Sequence, residues 1–341
     1  MPDPHPVEVA TRAARLRDGA RACTSCVALA LLAVACGSPK TAADSTAMNA
    51  TATPTPPAST TTPSTSGDTA GVMTATSADV TPSNAGFAGP ENIVYDSVAD
   101  VYLISNVNGG PVARDGNGFV TRLDSAGHVV AQKWIDGTHA ATRLDAPKGL
   151  AIHGDTLVIA DVGVVRLFNR RTGASLGVWQ TTGNLLNDVS FGPDGTLWVT
   201  DTQGPDSVGA IYHFDRTGHA TKVASGKALD GPDGIVALPD GNVMYATFGA
   251  DRVARMTPNG NATTVVTLPG KKVDGLRRLA DGSYVVSSWE AKTAYRLGSD
   301  NALHPLLTGV TSPAGLAIDA RHHRLAVTSM NDNRLYFVPL H

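Results

Sequence analysis

A five-residue segment recurs six times in the last 256 residues, each time as a loop leading into a small apolar strand. The copies are Pro90-Glu91-Asn92-Ile93-Val94, Pro147-Lys148-Gly149-Leu150-Ala151, Leu186-Asn187-Asp188-Val189-Ser190, Pro232-Asp233-Gly234-Ile235-Val236, Val273-Asp274-Gly275-Leu276-Arg277 and Pro313-Ala314-Gly315-Leu316-Ala317. Their second residues lie 57, 39, 46, 41 and 40 positions apart. A period near 40 residues marks a repeat architecture in which a unit buries its apolar face only against its neighbours. Three further strand patterns follow each segment. In the second copy they are Leu157-Val158-Ile159-Ala160-Asp161, Val165-Arg166-Leu167-Phe168 and Leu176-Gly177-Val178-Trp179. Four short strands per repeat predict a blade, and six blades predict an all-β, six-bladed β-propeller over residues 86–341. The 35 glycines, many in Asp-Gly turns between apolar runs, fit tight hairpins and exclude a helical bundle. The last repeat stops after its third strand, Arg334 to Val338, so its outer strand is expected from Val72 to Val80.

In an antiparallel meander, the loop into strand one and the loop between strands two and three share a face. Strand one is innermost in a propeller blade, so the six second residues should ring the channel mouth. The ring reads Glu91, Lys148, Asn187, Asp233, Asp274 and Ala314. The longest insertion, Asn106 to Gly118, should hang over that mouth, making Asn106 and Lys148 candidate substrate contacts together with Asp188. Carboxylates crowded in a low-dielectric mouth repel one another unless a cation neutralises them. Hard oxygen donors select calcium foremost, with magnesium, manganese or zinc as alternatives. The plainer alternative is a set of polar residues capping strand ends along a solvated channel. Asp194-Gly195, Asp240-Gly241 and Asp281-Gly282 fall between strands one and two and read as ordinary hairpin turns on the opposite face. His322-His323 falls in a turn on that far face and reads as surface.

With these residues in place, the chain from Gly86 onward resembles the regucalcin, senescence marker protein and gluconolactonase family of six-bladed propellers. It is more loosely similar to strictosidine-synthase-like and NHL-repeat propellers. The resemblance implies one divalent ion at the channel mouth, with Glu91, Asn187, Asp233 and Asp274 at the matching positions and Asn187-Asp188 on the loop that contacts substrate. It also makes Asp274 the candidate general base, with Asp233 beside it. Three departures stand out: Leu185 occupies the place of a substrate-holding arginine, Asn92 follows Glu91 where glycine is usual, and Lys148 brings an ammonium to the ring.

The N-terminal quarter of the chain reads differently. Arg12, Arg15, Arg17 and Arg21 precede an apolar run from Val27 to Ala35, far shorter than the ~20 residues of a membrane-spanning helix. Ala33-Val34-Ala35-Cys36 resembles a lipoprotein signal ending at the cysteine to be acylated; cleavage by an ordinary signal peptidase is the alternative. Cys23-Thr-Ser-Cys26 has redox-pair spacing but lies inside this signal. Residues 1–36 are therefore expected to be a signal peptide, and residues 37–85, rich in Ser, Thr, Ala and Pro, a flexible tether. The expected product is an exported monomer, lipid-anchored in the cell envelope or secreted, that meets a membrane only through its lipid. With 27 basic against 30 acidic residues, no cationic surplus supports nucleic-acid binding.

Two functions compete. One is an enzyme that hydrolyses a lactone or related ester with a divalent ion and Asp274 or Asp233 as base. The other is a non-catalytic propeller that binds a glycan, peptide or partner protein. No His-Glu-x-x-His motif points to a zinc-protease chemistry. The glycine-rich stretch 109–118 lacks the lysine and following helix of a phosphate loop.

Overall fold

The computed structural model describes residues 72–75, 78–81, 85–203 and 208–340. Cys36, the signal and most of the tether lie outside these residues. The described chain forms six four-stranded antiparallel blades, with helix confined to two short 3₁₀ turns, Ala140–Thr142 and Lys227–Leu229. The innermost strands are Pro90–Asp96, Pro147–His153, Leu186–Phe191, Pro232–Ala237, Val273–Arg278 and Pro313–Asp319. Burial falls from the channel outward. Leu197–Asp201, a second strand, is wholly buried, whereas Ser175–Gln180, a fourth strand, alternates between exposed and half-buried.

A lone blade cannot cover its two apolar faces, so each core lies between neighbouring blades. The wedge between blades one and two holds Leu103, Val120, Ile135, Leu150, Leu157 and Phe168, and equivalent clusters fill the other five gaps. The ring closes where blade six meets blade one, with the Phe337 and Tyr102 rings 5.4 Å apart.

The closing strand comes from the expected segment: Asp79–Val80 pairs antiparallel with Arg334–Pro339 and completes blade six. One feature departs from a purely antiparallel architecture. Met73–Thr74 adds a fifth, parallel strand outside Leu303–Thr308 of blade five, so the N-terminal segment spans two blades.

Every innermost strand carries the same irregularity. Pro90 pairs with Asn106 and Ile93 with Ile104, so the two residues between oppose one, and the same count recurs in all six blades. Such a bulge frees one residue from the ladder and re-aims side chains. The second and third residues of each repeated segment fall in it. At the third position the backbones of adjacent blades nearly touch: a Cβ on Gly234 would lie 2.3 Å from the Asp274 carbonyl oxygen, and one on Gly315 would lie 2.5 Å from the Asn92 Cα. Glycine is required at Gly234 and Gly315 by this close approach.

Candidate metal centre and its pocket

Hydroxyls on the second strands fasten the bulges. Thr200 Oγ1 accepts from the Asp188 N–H and donates to the Asp233 carbonyl in the next blade; Ser287 Oγ accepts from the Gly275 N–H and donates to the Ala314 carbonyl. Thr328 does the same across the closure by donating to the Glu91 carbonyl. The ring is thus held at its backbone, and its side chains are free to converge.

They do converge. Carboxylate oxygens of Glu91, Asp233 and Asp274 lie within 4.8 Å of one another, all three residues buried. Asn187 Nδ2 donates to Asp233 Oδ2 at 2.9 Å and to Thr202 Oγ1 at 2.9 Å, which turns its carbonyl oxygen away from them. Two buried oxygens, Glu91 Oε2 and Asn187 Oδ1, have no hydrogen-bond partner. Orphaned acceptors among three clustered carboxylates and an amide make an electron-rich set, and the donor chemistry fits a hard divalent cation. Burial drives all three acids toward protonation. Asp274 is pushed up to about 8, a shift that the Trp289 N–H opposes, Asp188 reinforces and Arg277 opposes. Glu91 and Asp233 are raised well above the usual carboxylate range by burial and then by the Asp274 charge.

Lys148 borders this set without joining it. Its Nζ donates to the carbonyls of Pro111, at 2.7 Å, and Ala146, at 2.8 Å, and burial lowers its pKa. The contact with Pro111 brings the 106–118 insertion over the mouth. Ala314 contributes only a buried methyl group.

Two expected substrate contacts stand elsewhere. Asn106 is fully buried at the end of a second strand, where Oδ1 accepts from the Ala88 N–H and Nδ2 donates to Thr121 Oγ1 and the Ile104 carbonyl. It is the blade-one counterpart of Asp161 and Asp201, whose carboxylates accept backbone N–H groups of the loops leading into their blades. Asp188 lies in the layer below the ring. Asn92 Nδ2 donates to its Oδ1 at 3.1 Å, the Ile235 N–H to its Oδ2 at 3.0 Å, and Arg277 Nη1 to Oδ2 at 2.6 Å. Arg277 Nη2 also donates to Asn92 Oδ1 at 3.0 Å. At the third segment position, four blades have glycine and blades one and three have Asn92 and Asp188. Those two side chains and the blade-five guanidinium close the channel with an ionic plug. The departure of Asn92 from glycine therefore has a packing role. His322 occupies the far-face turn and pairs with Asp319 at 2.8 Å.

The loops between strands two and three supply a collar that residue typing alone passed over. Phe248, Trp289 and Met330 are the first residues after the second strands of blades four, five and six, and with Pro111 and Leu185 they wall a cavity of ≈ 180 Å³ above the carboxylates. Trp289 Nε1 donates to Asp274 Oδ2 at 2.8 Å, and Phe248 meets the Trp289 ring edge-on at 5.3 Å. The signal for them was positional: the loop parity that places the insertion over the mouth also places these residues there.

No protein-family model matches the sequence, and no curated protein matches it. Solved structures do match the fold. A gluconolactonase from Xanthomonas campestris superposes with a TM-score of 0.61 at 18% identity, over 78% of this chain and 90% of that one. A calcium-binding protein, regucalcin, from Agrobacterium tumefaciens gives 0.60 at 18% identity, over 79% and 95% of the two chains. Virginiamycin B lyase from Staphylococcus aureus gives 0.53 at 16% identity, over 77% and 99%. The chain is thus a six-bladed propeller similar in fold to the gluconolactonases and regucalcins.

Proposed function

We propose that the propeller holds a divalent cation, calcium before magnesium, manganese or zinc, and hydrolyses a lactone or related small ester. The observation that carries this reading is the buried Glu91, Asp233 and Asp274 cluster with two orphaned oxygens on the floor of a small, apolar-walled cavity. Glu91, Asn187, Asp233 and Asp274 are the residues to hold the ion; when bound, it polarises a carbonyl and acidifies water. Asp274, with Oδ2 fixed by Trp289, retains its other oxygen to accept a proton, and Asp233, oriented by Asn187, is the second candidate base. Lys148 has one N–H left after its two carbonyl contacts and offers it to a carbonyl or carboxylate oxygen. The collar excludes bulk water and so strengthens each of these interactions. The likeness to a gluconolactonase and to a calcium-binding regucalcin supports the same reading. The signal, Cys36 and the tether belong to the proposal too: the propeller works as a monomer outside the cytoplasmic membrane, lipid-anchored through Cys36.

A second reading, recognition of a glycan, peptide or partner without turnover, is favoured by Leu185, which gives the wall no guanidinium for an anionic substrate. Metal analysis of the purified propeller beside a panel of lactones separates the two. Wild type and His322→Ala should carry one ion and hydrolyse a lactone, and Asp274→Ala should do neither. Equal metal content in the Asp274 variant, or bound ion without hydrolysis of any lactone, would favour recognition.

A further inference from the structure

The walls of the cavity differ from its floor, and the difference bears on what enters. Among the described residues, the collar is Pro111, Leu185, Phe248, Trp289 and Met330, and Thr202 is its single hydroxyl. That hydroxyl is already engaged, donating to the Pro232 carbonyl at 2.9 Å and accepting from Asn187 Nδ2 at 2.9 Å. The Trp289 N–H is committed to Asp274, and two of the three Lys148 protons to backbone carbonyls. Polar capacity is therefore concentrated at the floor, where a carbonyl would sit, and absent from the sides. Phe248 and Trp289 meet at 84°, forming an aromatic corner beside the Met330 thioether. At ≈ 180 Å³ the space lies below the ~300–1,000 Å³ of drug-sized pockets, so a single small ring with a short substituent is the occupant it suits.

We propose that the substrate is an apolar lactone, its ring bearing alkyl or aryl substituents in place of hydroxyls; this rests on the hydrolytic reading above. A polyhydroxylated ring would exchange water for a wall whose described side chains have no uncommitted donor to offer, and each unpaired hydroxyl lowers affinity. An alkyl substituent would instead lose unfavourable contact with water against Phe248, Trp289 and Met330. The reaction is balanced by water alone. The water oxygen bonds to the carbonyl carbon, the ring C–O bond breaks, and the proton taken by Asp274 passes to the departing alkoxide, giving an open hydroxy acid that then releases its carboxyl proton to solvent.

The test uses the calcium-loaded protein with δ-lactones carrying methyl to pentyl chains and with δ-gluconolactone. The kcat/KM should rise about three- to fourfold per added CH₂ until the chain leaves the pocket, and δ-gluconolactone should lie about 100-fold below the best alkyl lactone. Phe248→Ser and Met330→Ser should each flatten the chain-length slope and leave calcium content unchanged. The matching alkyl and polyhydroxylated δ-lactams, measured by calorimetry, read the same preference without turnover. Tighter binding of longer alkyl lactams with no lactone hydrolysis would remove the hydrolytic reading and keep the apolar specificity. A δ-gluconolactone rate equal to the alkyl series, or lactam affinity indifferent to chain length, would overturn the inference.

Discussion

Replacing Arg277 by Met should destabilise the propeller through a charge that the substitution does not touch. Asp188 is 1% exposed and accepts from the guanidinium at 2.6 Å and 3.2 Å; removing Arg277 leaves this carboxylate buried beneath Glu91, Asp233 and Asp274 with only neutral donors. Breaking a buried ion pair by deleting one partner costs ~3–5 kcal/mol. Arg277 is 19% exposed, so water reaches its outer side and the lower end, about 3 kcal/mol, applies. In a domain of this size that lowers Tm by ~6–12 °C. The loss should be largely recovered in Arg277→Met with Asp188→Asn, because no buried charge then remains in the plug and the Ile235 N–H keeps an amide oxygen as acceptor. Urea or thermal unfolding of the ion-free protein at neutral pH compares the variants. Arg277 also holds down the pKa of Glu91 and Asp274, so in the single variant these acids should keep their protons to higher pH. A single variant within about 1 kcal/mol of wild type, or a double variant no better than the single, would refute a stabilising plug.

Three further outcomes are expected. In ion-free protein, Glu91, Asp233 and Asp274 hold protons that the unfolded chain releases, so stability should fall as pH rises from 5 through about 8, and calcium should restore Tm at pH 8 far more than at pH 5; a flat ion-free profile would contradict the buried acid cluster. Trp289→Phe keeps the aromatic wall and removes the N–H on Asp274 Oδ2, so calcium affinity should drop ~10–100-fold with the fold intact, as calorimetry would report. Cys36→Ala should release the protein from membranes or leave its signal uncleaved, which fractionation and mass analysis of the N-terminus would read; unchanged membrane-bound mature protein would dispose of the anchor.

Repetition made the architecture legible without coordinates. Six copies of one segment, each followed by three strand patterns, left little beside a six-bladed propeller. Strand parity then placed Glu91, Lys148, Asn187, Asp233 and Asp274 on one face because alternation of direction is a local rule that needs no knowledge of packing. The same rule assigned His322 to the far side and the 106–118 insertion to the mouth. What parity cannot specify is depth and direction along the channel. Asn106 and Asp188 sit one residue from positions that face the mouth, and only the bulge in each innermost strand and the close approach of neighbouring blades decide that one becomes a loop cap and the other half of an ion pair. Arg277 meets Asp188 from 89 residues away, and Trp289 reaches Asp274 across a hairpin. The first contact crosses the channel from blade five to blade three and depends on closure of the ring, in which blade six comes to rest on blade one; the second depends on the pairing of two strands within blade five. The residue types of the site are therefore local information, and its depth, its apolar collar and its plug are consequences of six units packed around one axis.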